Sequence, residues 1–307
     1  MHFAFLLESD AGFPISFSNA SLAHLIVRFL VILQDRIIRL YSIATFDFTL
    51  YTLMKFKQVL YITLVFLCGS VGIHASAATL SVAVAANVQY VFAEIKNEFK
   101  KETGHDLQAT YNSSGKFVTQ IMHGAPFDVF LSADIEYPEY LSKQGFTATQ
   151  PKVYAYGALV LWSMKKLDLT QWQALLASNT ISKIAIANPA TAPYGREAMK
   201  VLHYYHLDVD LIPRLVYGES ISQTNQYIHS GVADIGFTAK SVVSSAEMKG
   251  KGSWIEMPPS SYQAIAQAAV ILKHGEKNNA ALAQQFYDFL YSAKARMILQ
   301  KNGYILP

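Results

Sequence analysis

One cysteine, Cys68, occurs in 307 residues, and none follows it. Beyond that point the chain has no disulfide, no thiol nucleophile and no zinc–thiolate centre. Charge is sparse as well. Asp, Glu, Lys and Arg make up 15% of the sequence and the formal net charge is only +3, which is no electrostatic footprint for nucleic acid. A Gly-x-Ser-x-Gly nucleophile elbow is missing, which argues against one common class of hydrolase. No apolar run reads as a membrane span. Val59 to Val71 has about thirteen residues, short of the roughly 20 that a spanning helix needs. Leu22 to Tyr41 carries Arg28, Asp35, Arg36 and Arg39, and each charge near a helix centre costs about 2.5–3.5 kcal/mol in a bilayer.

The Val59 run has another reading. Met54-Lys55-Phe56-Lys57 precedes it and Ala75-Ser76-Ala77 follows it. A charged start, an apolar middle and a small-x-small end make a secretory signal peptide. Residues 54–77 are therefore expected to be removed after Ala77. Residues 1–53 are expected to be a mis-assigned N-terminal extension, with a true N-terminal anchor as the alternative. Leu67 before Cys68 is too large for a typical lipoprotein cleavage site, so no lipid is expected. Residues 78–307 can bury a full core and form two lobes.

What is present is a strand–helix rhythm. Leu80 to Ala85 reads as a strand. Val88, Val91, Phe92, Ile95 and Phe99 then recur at helical spacing until Gly104. Leu107–Tyr111 (strand), Phe117–His123 (helix), Asp128–Ser132 (strand) and Tyr137–Gln144 (helix) continue it. Val153 to Trp162 is an apolar crossing strand. A second series runs Ile184–Ala187, helix Tyr194–Tyr205, strand Leu211–Tyr217, helix Ile221–His229 and strand Ile235–Thr238. Gln263–Leu272 is a returning strand, and helices at Asn278–Tyr291 and Ala293–Lys301 close the chain. The order predicts α/β lobes, each a mainly parallel sheet flanked by helices, joined by two hinge crossings. Lobe one is expected at 78–157 and 262–307, lobe two at 158–261.

Ligands of such sheets sit beyond the carboxyl ends of strands. Three segments there look like helix starts aimed at an anion: Ala85-Ala86-Asn87-Val88, Asn112-Ser113-Ser114-Gly115 and Ala192-Pro193-Tyr194-Gly195. The first N–H groups of a helix have no intrahelical partner, and the helix dipole adds roughly half a positive charge. Several such ends converging on a point would hold an oxyanion without lysine or arginine.

These segments, with Gly124-Ala125-Pro126-Phe127-Asp128-Val129-Phe130-Leu131-Ser132-Ala133-Asp134, Ala187-Asn188-Pro189-Ala190-Thr191 and Phe286-Tyr287-Asp288-Phe289-Leu290, resemble the periplasmic molybdate-binding proteins of ABC transporters. The resemblance spans 79–306 in one order. It implies the two-lobed type II periplasmic binding protein fold, capture of molybdate and tungstate in the cleft, and delivery to a membrane permease. It implies oxyanion contacts at Ala86, Asn87, Ser114, Tyr194 and Ile221: backbone N–H groups from Ala86, Tyr194 and Ile221, and side-chain donors from Asn87 and Ser114. It implies molybdenum only as molybdate, no cofactor, a periplasmic monomer and no catalysis. Where a branch of the family has a tyrosine, this chain has Ala239. Either that donor is missing, or Thr238 or Tyr194 replaces it.

Blander readings stand beside these. Asn87, Ser114 and the Tyr194 turn are also good ordinary N-caps. His203 and His206 invite a metal, but the spacing is not that of a zinc helix and no carboxylate motif accompanies it. Another oxyanion, such as sulfate or thiosulfate, would suit the same donors. Two-lobed transferases that attach a cofactor through cysteine are excluded by its absence, and a pure interaction module would need a cleft too shallow for an ion.

Overall fold

The computed structural model describes residues 27–36, 56, 59–60 and 79–307. Apart from residues 56 and 59–60, the signal peptide expected at 54–77 lies outside the described residues, as do Cys68 and most of 1–53. Residues 27–36 are helical, and among the described residues no helix is long and apolar enough to cross a membrane. The chain divides into two compact units, Met1–His74 and Ala75–Pro307. The second holds both β-sheets.

Two five-stranded sheets organise that unit. The first contains β1 (Thr79–Ala85), β2 (Asp106–Asn112), β3 (Val129–Leu131), β4 (Lys152–Gly157) and β10 (Ile265–Ile271), in the order β2-β1-β3-β10-β4. The second contains β5 (Leu159–Ser163), β6 (Ile184–Ala187), β7 (Leu215–Gly218), β8 (Ile235–Ala239) and β9 (Ser253–Glu256), in the order β7-β6-β8-β5-β9. Each begins with three parallel strands, β2-β1-β3 or β7-β6-β8. Each ends with two strands added antiparallel. The two sheets therefore share one topology.

The helices are α1 (Gln89–Thr103), α2 (Ser114–Met122), α3 (Glu136–Lys143), α4 (Trp172–Ala177), α5 (Pro193–Tyr204), α6 (Asp208–Leu211), α7 (Ile221–His229), α8 (Lys240–Ser244), α9 (Lys273–Asn278), α10 (Ala280–Leu290) and α11 (Ala293–Lys301). Helix α1 shows why these segments fold as they do. Val91, Phe92, Ile95 and Phe99 form one stripe and all four are fully buried. Gly104 then takes φ +75°, the left-handed cap that stops the helix. Phe286 of α10 meets Phe92 and Phe99 edge-on, with centroids 6.0 and 5.4 Å away. The C-terminal helices thus belong to the core of the first sheet. Leu159, Leu161, Ile184, Ile186, Val201 and Phe237 build the core of the second.

Two sequence expectations need correction. Residues 153–162 are not one crossing strand. They are β4 and β5, one in each sheet, separated by Ala158. The apolar run hides the break because both halves are buried. The strand expected at 211–217 is confined to Leu215–Gly218; before it come α6 and a 3-10 turn at Ile212–Arg214. Pro213 has no N–H for a ladder and a fixed φ, which suits the turn and not a strand. The second crossing runs from β9 through a 3-10 turn at Pro259–Ser261 into β10.

Candidate functional site

Four helices start where strands end. Beyond β1, a 3-10 turn at Ala86–Val88 leads into α1. Beyond β2, Ser113 leads into α2. Beyond β6, a short loop leads into α5, with Pro193 at its first position, where a missing N–H costs nothing. Beyond β7, Ser220 leads into α7. Ala86, Asn87, Ser114, Tyr194 and Ile221 all line one small cavity that is partly open to solvent. The structure therefore brings together all five residues singled out in the sequence. Asn112 and Ser113 line it too, and none of its lining residues is charged.

An ordinary capped helix spends its first N–H groups on the side chain before it. Ala85, Ser113 and Ala192, which precede three of these starts, make no such bond. Ser220 does: it accepts from Gln223 N–H at 3.4 Å. That bond reaches the third residue of α7 and not Ile221. The first turns of three of these helices, beside the cavity, therefore lack the usual side-chain cap.

The two polar side chains behave differently from one another. Ser114 is fully buried, and its Oγ accepts from Ala133 N–H at 2.9 Å. A hydroxyl that accepts there keeps its own hydrogen to donate. Asn87 departs from the expectation. Its amide nitrogen donates to Gln267 Oε1 at 2.9 Å and to Tyr304 Oη at 3.2 Å. An amide has two hydrogens, so none is left for the cleft, and only the backbone N–H of Asn87 remains. Its carbonyl accepts from Ser241 Oγ at 3.0 Å and Tyr304 Oη at 3.2 Å. The amide nitrogen is thus tied to Gln267 and Tyr304 and fixes the turn.

Neither suggested stand-in for the tyrosine missing at Ala239 serves. Thr238 Oγ1 donates to Asn225 Oδ1 at 2.5 Å, and Thr238 does not line the cavity. Tyr194 Oη accepts from Gln267 Nε2 at 3.1 Å. It lies against Gly157 and Gln267, which do not line the cavity either.

Gln267 is the centre of a buried neutral network beneath the cleft. Its Oε1 also accepts from Tyr154 Oη at 3.0 Å. Burial pushes the Tyr154 and Tyr194 phenols well above their ordinary range and that of Tyr304 up to about 12. All three stay uncharged at neutral pH.

Several bonds cross the cleft. Gly115 N–H donates to Thr191 O at 2.9 Å, and Ser222 Oγ to Gln89 Oε1 at 2.5 Å. Lys116 pairs with Glu219 at 2.5 Å, and Arg196 pairs with Asp134 and with Glu136, the latter at 3.2 Å. Burial raises the Asp134 carboxyl pKa in spite of the Arg196 charge and the Tyr137 N–H. A side chain at Gly115 would meet Tyr137 Oη at 2.6 Å and the Thr191 backbone at 3.0 Å, so this close approach requires glycine. Away from the cleft, His203 Nδ1 pairs with Asp208 Oδ2 at 2.8 Å, and His206 has φ +56°.

A family model for bacterial extracellular solute-binding proteins matches residues 80–305. This chain belongs to that family. It is 40% identical over 232 residues to the molybdate-binding protein ModA of Azotobacter vinelandii, covering 75% of this chain and 91% of that one. To ModA of Rhodobacter capsulatus it is 39% identical over 232 residues, with 75% and 90% covered. The solved structure of the A. vinelandii periplasmic molybdate-binding protein superposes with a TM-score of 0.71 at 37% identity, covering 74% of this chain and 99% of that one. The two-lobed α/β architecture and the family read from the sequence agree with these matches. The relatives are binding proteins, not enzymes.

Proposed function

We propose that this protein is an exported receptor that captures molybdate, and tungstate with it, between two lobes and delivers it to an ABC permease. Lobe one is 78–157 with 262–307, and lobe two is 158–261. The observation that carries this reading is the set of first turns, three of them without side-chain caps, that share one cavity with no charged lining. Molybdate is a tetrahedral dianion with four acceptor oxygens and no proton at neutral pH. Donors alone suit it, and a carboxylate would repel it. Backbone N–H groups of Ala86, Asn87, Tyr194 and Ile221 and the Ser114 hydroxyl are the proposed contacts. Each hydrogen bond to a charged oxygen is worth about 1.5–3 kcal/mol. The fixed dipoles take the place of water, so no counter-charge is required. The bonds across the cleft describe the closed form that would dock on the permease, and a monomer suffices for that. The relatives named for molybdate, at 40% and 39% identity, support the same ligand.

Thermal unfolding with molybdate, tungstate, sulfate, thiosulfate and phosphate tests the proposal. A ligand at 100 times its dissociation constant adds about 2.7 kcal/mol of stability. A large upward shift with molybdate and tungstate and little with sulfate is expected. A shift with sulfate or thiosulfate alone would transfer the function to that anion.

A further inference from the structure

Ser113 has one polar atom left over. Its N–H donates to the Asn112 side-chain oxygen at 2.9 Å, and its carbonyl accepts from Phe117 N–H at 3.2 Å. Its hydroxyl has no hydrogen-bond partner among the described residues although the residue is only 4% exposed. A buried hydroxyl without a partner destabilises a fold, so such an atom calls for an explanation. The usual one for a serine in this place is helix capping. Ser113 stands at the N-cap of α2, a nine-residue helix, with extended backbone (φ −68°, ψ 149°), and makes no cap bond. Ser220 and Ser292, at the same position of other helices, do cap them. The second fact is location. Ser113 lines the cavity, beside Ser114. Thr191 also has an unpartnered buried hydroxyl, but it does not line the cavity.

We infer that Ser113 is a direct ligand of the bound oxyanion, its hydroxyl donating to an oxygen of the anion next to the one that Ser114 contacts. The inference rests on the oxyanion reading above. It gives the site a second hydroxyl donor from one turn, where Asn87 and Thr238 have spent theirs on neighbours. It also accounts for the missing cap, since a hydroxyl reserved for the ligand is not turned back onto the helix.

The test is calorimetric titration of the protein and its Ser113→Ala variant with sodium molybdate, together with thermal unfolding of both without oxyanion. A hydrogen bond to a charged group predicts about a tenfold to hundredfold loss of affinity. Removing an unpartnered hydroxyl predicts an unliganded melting temperature that is unchanged or higher. That pair of opposite effects is the expected result. Equal affinity in the two proteins would overturn the role of Ser113 and leave the molybdate reading standing. Weaker binding accompanied by a matching loss of unliganded stability would make Ser113 a structural residue and also overturn it. Failure of the unaltered protein to bind molybdate would instead remove the reading on which the inference rests.

Discussion

Gly157 ends β4, where the chain leaves the first sheet, and the Tyr194 ring lies against it. A methyl group at 157 would stand 2.5 Å from Gln267 Nε2, 3.0 Å from Tyr194 Cζ and closer still to the Tyr194 hydroxyl. Tyr194 is 1% exposed and Gln267 fully buried, so neither side chain can turn into solvent. Gly157→Ala therefore overpacks the hinge, at about 1–3 kcal/mol. It also disrupts the Gln267–Tyr194 hydrogen bond, worth about 0.5–1.5 kcal/mol. Together these make about 1.5–4.5 kcal/mol, or about 3–18 °C in melting temperature for a domain of this size. The decisive experiment is a double-mutant cycle with Tyr194→Phe, followed by thermal and urea unfolding. Without the hydroxyl the worst contact disappears, so the second Gly157→Ala step is expected to cost at least about 1 kcal/mol less than the first. A cost below about 0.5 kcal/mol for the single variant, or strict additivity in the cycle, would refute the packing argument.

Other consequences follow from the same geometry. Gly115→Ala is expected to hold the lobes apart through Tyr137 and Thr191, weakening oxyanion binding and raising the radius of gyration of the liganded protein in X-ray scattering. Arg196→Ala breaks a half-buried pair across the cleft. Between the exposed and buried limits this is worth about 1–3 kcal/mol, read as a faster ligand off-rate that Asp134→Asn partly restores. Stability should fall at alkaline pH. Tyr304 titrates near 12 in the folded protein and near its ordinary value of 10 when unfolded, so its contribution is complete below about pH 10 and is lost as pH rises towards 12. Tyr304→Phe should reduce that slope, measured by urea unfolding across the range. At acid pH the sign reverses for Asp106, whose carboxyl is held low by hydrogen bonds from Lys96 and Lys100. That stabilisation is present above about pH 4 and lost below it, and Asp106→Asn should flatten that limb of the profile.

Local patterns carried much of this fold. The Val91-Phe92-Ile95-Phe99 stripe and the Gly104 stop describe α1 because both rest on residues within a few positions of each other. Continuous apolar runs were less informative. Residues 153–162 read as one strand because both halves are buried, and Gly157 alone hints at the break. Helix α4 and strand β9 are short pieces whose place is set by packing, and periodicity does not reveal them. Within the cleft, helix starts were legible from strand–turn–helix order and cap chemistry. Side-chain roles were not. The partners of the Asn87 amide stand 180 and 217 residues away, and the unpartnered Ser113 hydroxyl is defined by burial, which only the folded chain has.

The central claim is that first-turn amides hold the oxyanion. Amide chemical shifts of isotopically labelled protein, followed during titration with molybdate, address it residue by residue. The account predicts large shifts and slowed hydrogen exchange at Ala86, Asn87, Tyr194 and Ile221, with Ser113 and Ser114 beside them. Saturable binding whose largest shifts lie away from these four helix starts would contradict it.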